Sequence, residues 1–170
     1  MGKVIAITLF ICILPAVALS SYADDVRISV SMTEGEHSRD SNSSSTSITI
    51  KGNVLVYDRS YAGYGAGKRK PTHQRIRLTV LEVDQLKLLI TKERLLVSSS
   101  TEQPTDGAGR YLIIAINLQV GKEKSTIKVS GMTSRIENER LYKSAQALID
   151  VIDRIREAHE SSISSSDLPK

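Results

Sequence analysis

Sulfur and large aromatic side chains are scarce in this chain. Its 170 residues hold one cysteine, one phenylalanine, no tryptophan, six tyrosines and three histidines. A single cysteine excludes an internal disulfide framework and a multi-cysteine zinc site. The length allows one modest domain and excludes a multi-domain enzyme. With 40% hydrophobic and 25% charged residues, the balance is that of a folded globular chain rather than a disordered one.

The scarcity sharpens once the N-terminal segment is set aside. Residues 1–23 read as a secretory signal peptide. Lys3 supplies the positive start, residues 4–14 form an uncharged run that is apolar except for Thr8 and is closed by Pro15, and Ser21 and Ala23 place small side chains before Asp24. Ala18 offers an alternative cleavage point. The apolar run is shorter than the ~20 residues of a spanning helix. Cys12 follows Ile11 rather than a small residue, so the pattern of a lipid-attachment signal is not met. Removing 23 of the 170 residues leaves 147, with 22 basic against 19 acidic side chains and a net charge of +3. This mature chain has no cysteine, phenylalanine or tryptophan, and only five tyrosines. The expectation is a secreted or periplasmic protein without a transmembrane segment after cleavage. Its core must be built from Ile, Leu, Val and Ala. A domain of this size buries roughly 70% of its unfolded surface, enough to fold without disulfides.

Patterning places the elements. Val26, Ile28, Val30 and Met32 alternate with polar residues as in a half-buried strand. Residues 34–47 contain no apolar side chain and read as a flexible Ser-rich loop. Ile48, Ile50, Val54 and Val56 share one parity and suggest a single strand with Gly52 as a bulge. Ile76, Leu78 and Val80 suggest a third strand. The period then becomes helical through Val83, Leu86, Leu89 and Ile90, and Thr79 with Glu82 fits a capping box. Residues 98–109 read as a loop. Leu112, Ile114, Ile116, Leu118 and Val120 line one face of the strongest strand, whose other face is also largely apolar and predicts cover on both sides. A turn at Gly121 leads into a half-exposed partner strand through Ile127 and Val129. Ser134 and Glu137 fit a second capping box. Leu141, Ala145, Leu148, Ile152 and Ile155 then form one helical stripe, followed by a loose tail over residues 159–170. The predicted fold is α+β: an antiparallel sheet of four to five strands with two helices on one face, in the order β-ββα-ββα, as a single domain over residues 24–158.

Val56-Tyr57-Asp58-Arg59-Ser60 runs into Ala62-Gly63-Tyr64-Gly65-Ala66-Gly67. This resembles the strand and Gly-rich turn of the emfourin-like family, whose pattern is roughly Tyr-x-Arg-Ser-Gly-Gly-aromatic-Ala-Gly. Residues 76–96, 111–129 and 147–155 resemble the strand and Leu-rich helix, the hairpin and the terminal helix that follow in that family. The resemblance spans about residues 48–158. Tyr61-Ala62 stands where the family has its first Gly pair, and Lys68-Arg69-Lys70-Pro71 lengthens the turn. The family includes a protein inhibitor of thermolysin-like metallopeptidases, so the resemblance implies an extracellular or periplasmic protein partner of that class. It assigns no inhibitory residue to this chain.

Enzyme signatures are missing. No Gly-x-Ser-x-Gly or His-Glu-x-x-His occurs. His37, His73 and His159 lie in separate polar segments and read as solvated. Gly63, Gly65 and Gly67 mimic a phosphate loop, but their spacing and the following Pro71 do not fit one. No catalytic residue, metal, cofactor or nucleic-acid partner is therefore expected. The most unusual composition lies in residues 57–74, where three of the five mature tyrosines fall within eight residues beside glycines and basic side chains. Tyrosine offers rigid contact area and a hydroxyl, and the cations steer acidic partners. Tyr57, Arg59, Tyr61, Tyr64, Lys68, Arg69 and Lys70 are the predicted partner-binding residues. Two functions follow: a secreted non-catalytic binding module that inhibits a metallopeptidase, or an envelope-associated protein whose basic loop binds anionic glycan or a membrane surface.

Overall fold

Alternation gives the long strands an inward apolar side, and a single sheet aligns those sides. The computed structural model describes residues 26–37, 42–63, 69–104 and 109–166; the signal-peptide expectation lies outside them. Strands β1 (Val26–His37), β2 (Asn42–Lys51), β3 (Val54–Gly63) and β4 (Thr72–Arg77) precede helix α1 (Val80–Lys92). Then come β5 (Ser99–Glu102), β6 (Gly109–Val120), β7 (Glu123–Met132), α2 (Thr133–Ile136) and α3 (Arg140–Ser166). The sheet order is β4-β3-β2-β1-β6-β7-β5. All neighbours are antiparallel except β5, which runs parallel to β7. The α+β class is retained. The expected four to five antiparallel strands and two helices are corrected to seven strands in a mixed sheet and three helices.

Two local differences supply the extra strands, and another lengthens β1 and β2. The segment expected as a Ser-rich loop is strand where it is described. Glu34 pairs with Ser44 and Gly35 with Ser43, while β6 pairs Gly35 with Tyr111 on the other side. Hydrogen-bonded neighbours on both sides hold β1 extended here without any apolar burial. Tyr111 covers Gly35 so closely that an added Cβ would lie 2.5 Å from the ring.

The expected single strand over residues 48–56 is two strands. Gly52, at φ +61°, opens a two-residue turn as the first position of a type II′ hairpin does. Lys51 then pairs with Val54, and the inward positions change from even to odd numbers. Ile48 and Ile50 are followed into the core by Leu55 and Tyr57. Val54 and Val56, expected beside the isoleucines, lie on the opposite face.

In the expected loop after α1, Ser99–Glu102 adds to the edge of β7. Hydroxyls secure the junction: Ser125 Oγ donates to the Leu95 carbonyl at 2.6 Å, and Ser98 Oγ accepts the Thr126 amide at 3.0 Å. Strand β6 is interior as expected, but only one of its faces is covered. Leu112, Ile114, Ile116 and Leu118 are buried, whereas Ile113 is 43% exposed.

The helices cover the apolar side of the sheet. Thr79 and Glu82 form the expected capping box, with the Thr79 amide donating to Glu82 Oε2 at 2.7 Å and the Glu82 amide to Thr79 Oγ1 at 3.3 Å. The cap starts the helix at Val80, which was expected to end a strand and is exposed instead. The helix stops without glycine. Arg94 takes φ +56°, its amide donates to Thr91 O, and the Leu95 amide donates to Ile90 O at 2.9 Å. This is a Schellman closure, with Leu95 buried behind it. The second expected capping box is not formed; α2 begins after Met132 without a side-chain cap.

Helix α3 buries Ala145, Leu148, Ile152 and Ile155 of the predicted stripe, together with Ile149 and Val151. It continues through residues expected to be a loose tail. His159 Nε2 lies 3.0 Å from Glu82 Oε1, tying the end of α3 to the start of α1. Gln74 of β4 donates to Glu160.

Burial pushes the Glu82 carboxyl up, but the Thr79 amide and hydroxyl and the adjacent His159 outweigh it and hold the group below its ordinary value of 4.5. A carboxyl lowered in the folded state stabilises the fold above its unfolded pKa, and that contribution is lost as pH falls through the folded one. The wild type should therefore lose more of its urea midpoint between about pH 6 and about pH 3 than Glu82→Gln does. Parallel losses would remove this carboxylate as a source of acid sensitivity.

Candidate functional site

The residues predicted to form one binding loop are distributed by the strands. Tyr57 points into the core and is 4% exposed, with the Arg156 guanidinium 4.9 Å from its ring centroid. Arg156 is held in turn by Asp153 at 3.3 Å and Glu160 at 3.0 Å. Burial works against the Arg156 charge, yet these carboxylates leave it bound more firmly than usual. Tyr57 is thus a packing residue in this fold. Arg59 and Tyr61 follow it on the same side of β3, beyond the part of the sheet that buries apolar side chains. The guanidinium carbons of Arg59 and Arg69 each lie 5.4 Å from the Tyr61 ring centroid, a cation–π arrangement on both counts. Lys70 is exposed next to β4. Tyr64 and Lys68 lie outside the described residues.

Beside this group is a cleft of about 410 Å³ lined by Glu34, Glu36, Asn42, Arg59, Arg69 and Arg110, among others. Arg110 is paired with Glu34. The cleft carries both signs of charge and no dominant one.

The other side of the sheet is different. It faces away from the helices, as one face of an antiparallel sheet commonly does. Its centre is hydroxylated: Ser29 and Ser31 of β1, Ser45, Ser47 and Thr49 of β2, and Thr126 of β7 project there, with Asn117 of β6 between them. Around them stand Arg27, Lys51, Arg75, Arg77, Lys124 and Lys128, all exposed. Among the described residues the carboxylates on this face are Asp58 and Glu102. Asp58 Oδ1 is 2.5 Å from His73 Nδ1, and Glu102 sits on the short edge strand β5. A groove of about 410 Å³ runs here, lined by Arg27, Lys51 and Lys124 and by Ser29, Thr49 and Asn117, among others. No carboxylate lines it.

These cations were missed in the sequence because they belong to four different strands. Each is an ordinary outward residue of its own strand. Only cross-strand register turns them into a group. His73 is exposed, as the solvated reading expects, although it faces Asp58, whereas His159 is partly buried against Glu82. Among the described residues no group of three or more His, Cys, Asp or Glu is placed to hold a metal ion. No described helix is long and apolar enough to cross a membrane.

The chain matches no protein-family model, and no curated protein matches it.

The two tyrosines of β3 should respond differently to truncation. Tyr57→Ala should cost roughly 3–5 kcal/mol, as for other large aromatic truncations in a core. Tyr61→Ala should cost less than about 1 kcal/mol. Urea unfolding of both variants checks the assignment; similar losses would contradict it.

Proposed function

We propose that this chain is a secreted, non-catalytic binding module that takes an acidic glycan on the uncovered face of its sheet. The observation that carries this reading is the division of charge. Six exposed cations share that face with two carboxylates, one of which already faces a histidine. Such a surface attracts anions over roughly a Debye length, about 8–10 Å at moderate ionic strength. The hydroxyl and amide side chains between the cations offer hydrogen bonds suited to sugar hydroxyls. This reading uses the cations of the sheet rather than those of the Lys68, Arg69 and Lys70 segment.

The mature protein should be retained on an acidic polysaccharide matrix at low salt and released as salt rises. The triple variant Arg27→Ser, Lys51→Ser, Lys124→Ser should elute at clearly lower salt while its urea midpoint stays within about 0.5 kcal/mol of wild type, as expected of surface substitutions. Retention equal to wild type would sink this reading.

A second reading rests on the emfourin-like resemblance and on Tyr61. That ring is braced between two guanidiniums at one end of the sheet, which gives a protein partner a pre-ordered aromatic contact. In this reading the chain inhibits a thermolysin-like metallopeptidase. Micromolar mature protein should then lower the activity of such a peptidase, and Tyr61→Ala should restore it. Undiminished peptidase activity with the wild type would exclude the inhibitor.

A further inference from the structure

The cations of the uncovered face are not scattered. Strand register places Arg77 opposite Val54, Val54 opposite Lys51, Lys51 opposite Arg27, Arg27 opposite Gln119, and Gln119 opposite Lys124. One straight row thus crosses β4, β3, β2, β1, β6 and β7. It carries four positive charges, two neutral side chains and no negative one. At ~4.8 Å between strands the row is roughly 24 Å long, with its cations about 5 to 10 Å apart.

Folding alone does not favour this arrangement. Arg27 and Lys51 are directly opposite each other, and like charges in that relation destabilise a sheet. No salt bridge to a carboxylate is formed by Arg27, Lys51, Arg77 or Lys124 among the described residues. An anion lying across the pair removes the repulsion and gains two charge-assisted hydrogen bonds. The groove described above follows part of the same row, over β2, β1, β6 and β7.

We infer that the row is a track for a linear, sparsely charged acidic polysaccharide of the uronate type, laid across the strands rather than along them. The inference rests on the proposed acidic-glycan function and adds the occupant's orientation, length and charge density. Four cations over about 24 Å match a polymer with a carboxylate every one or two sugars better than a densely sulfated one. The neutral positions and the flanking Ser29, Thr49, Asn117 and Thr126 leave room for free sugar hydroxyls. Neither the row nor these flanking residues includes an aromatic ring of the kind that stacks single-stranded bases. The right-handed twist of a six-strand span prevents a flat membrane from reaching both ends of the row.

Binding of oligouronates of two to ten sugars to the mature protein, followed by calorimetry at low salt, tests the track. Affinity should rise with length until the oligomer spans the row and then level off. Arg77→Ser and Lys124→Ser, at the two ends, should each weaken the long oligomers about two- to fivefold and leave the shortest nearly unchanged. Arg75→Ser and Lys128→Ser remove the same charge from the same face but off the row, and should have a smaller effect on every length. Equal losses from on-row and off-row variants would overturn the track while leaving glycan binding in place. Binding confined to oligonucleotides or anionic vesicles would overturn the occupant. No binding to any acidic glycan would overturn the proposed function itself.

Discussion

A seven-stranded sheet with its described helices on one side is the constraint from which the rest of this molecule follows. Every long strand alternates, so every strand contributes half of its side chains to a core under α1 and α3 and half to solvent. Ile, Leu and Val dominate the first half, with Tyr57 as the one buried tyrosine among the described residues. The second half is mainly polar, with Val54, Val56 and Ile113 among its apolar exceptions. Because a one-residue slip would exchange the two sides, burial of the apolar half sets the register. That same register lines up Arg77, Lys51, Arg27 and Lys124 on the opposite surface. The packing of the core and the geometry of the cation row are therefore one structural fact seen from two sides.

The helices are held to the sheet by more than apolar contact. The capping box at Thr79 and Glu82 starts α1, and the same glutamate receives His159 from the far end of α3. Arg156 reaches Tyr57 of β3, and Glu160 reaches Gln74 of β4. These contacts fix the second half of α3 over β3 and β4. They also explain why a segment with few apolar residues remains helical, since its polar side chains have partners on three other elements.

Much of this was legible in particular residues. Val26 to Val30, Ile76, the helical stripes and the β6–β7 hairpin appear in the sequence as periodicities, and Thr79 with Glu82 appears as a cap. Residues 34–37 and 42–47 did not, because their extended form depends on pairing with neighbours and not on side chains that seek a core. Gly52 was ambiguous for a related reason. A bulge and a two-residue turn both suit a glycine, and only pairing of Lys51 with Val54 distinguishes them. The candidate site followed the same division. Clustered tyrosines drew attention to residues 57–74, yet Tyr57 is consumed by the core.

The sequence by itself determined which side chains needed burial, where α1 begins, and that few aromatics were available to build either core or site. It determined the signs and numbers of the charges as well. Which charges become neighbours was decided only by the tertiary structure. Residues as far apart in the chain as Arg27, Arg77 and Lys124 meet through hydrogen bonds between backbones, which carry no side-chain signature. A strand's own pattern says which residues face outward; it cannot say what stands beside them.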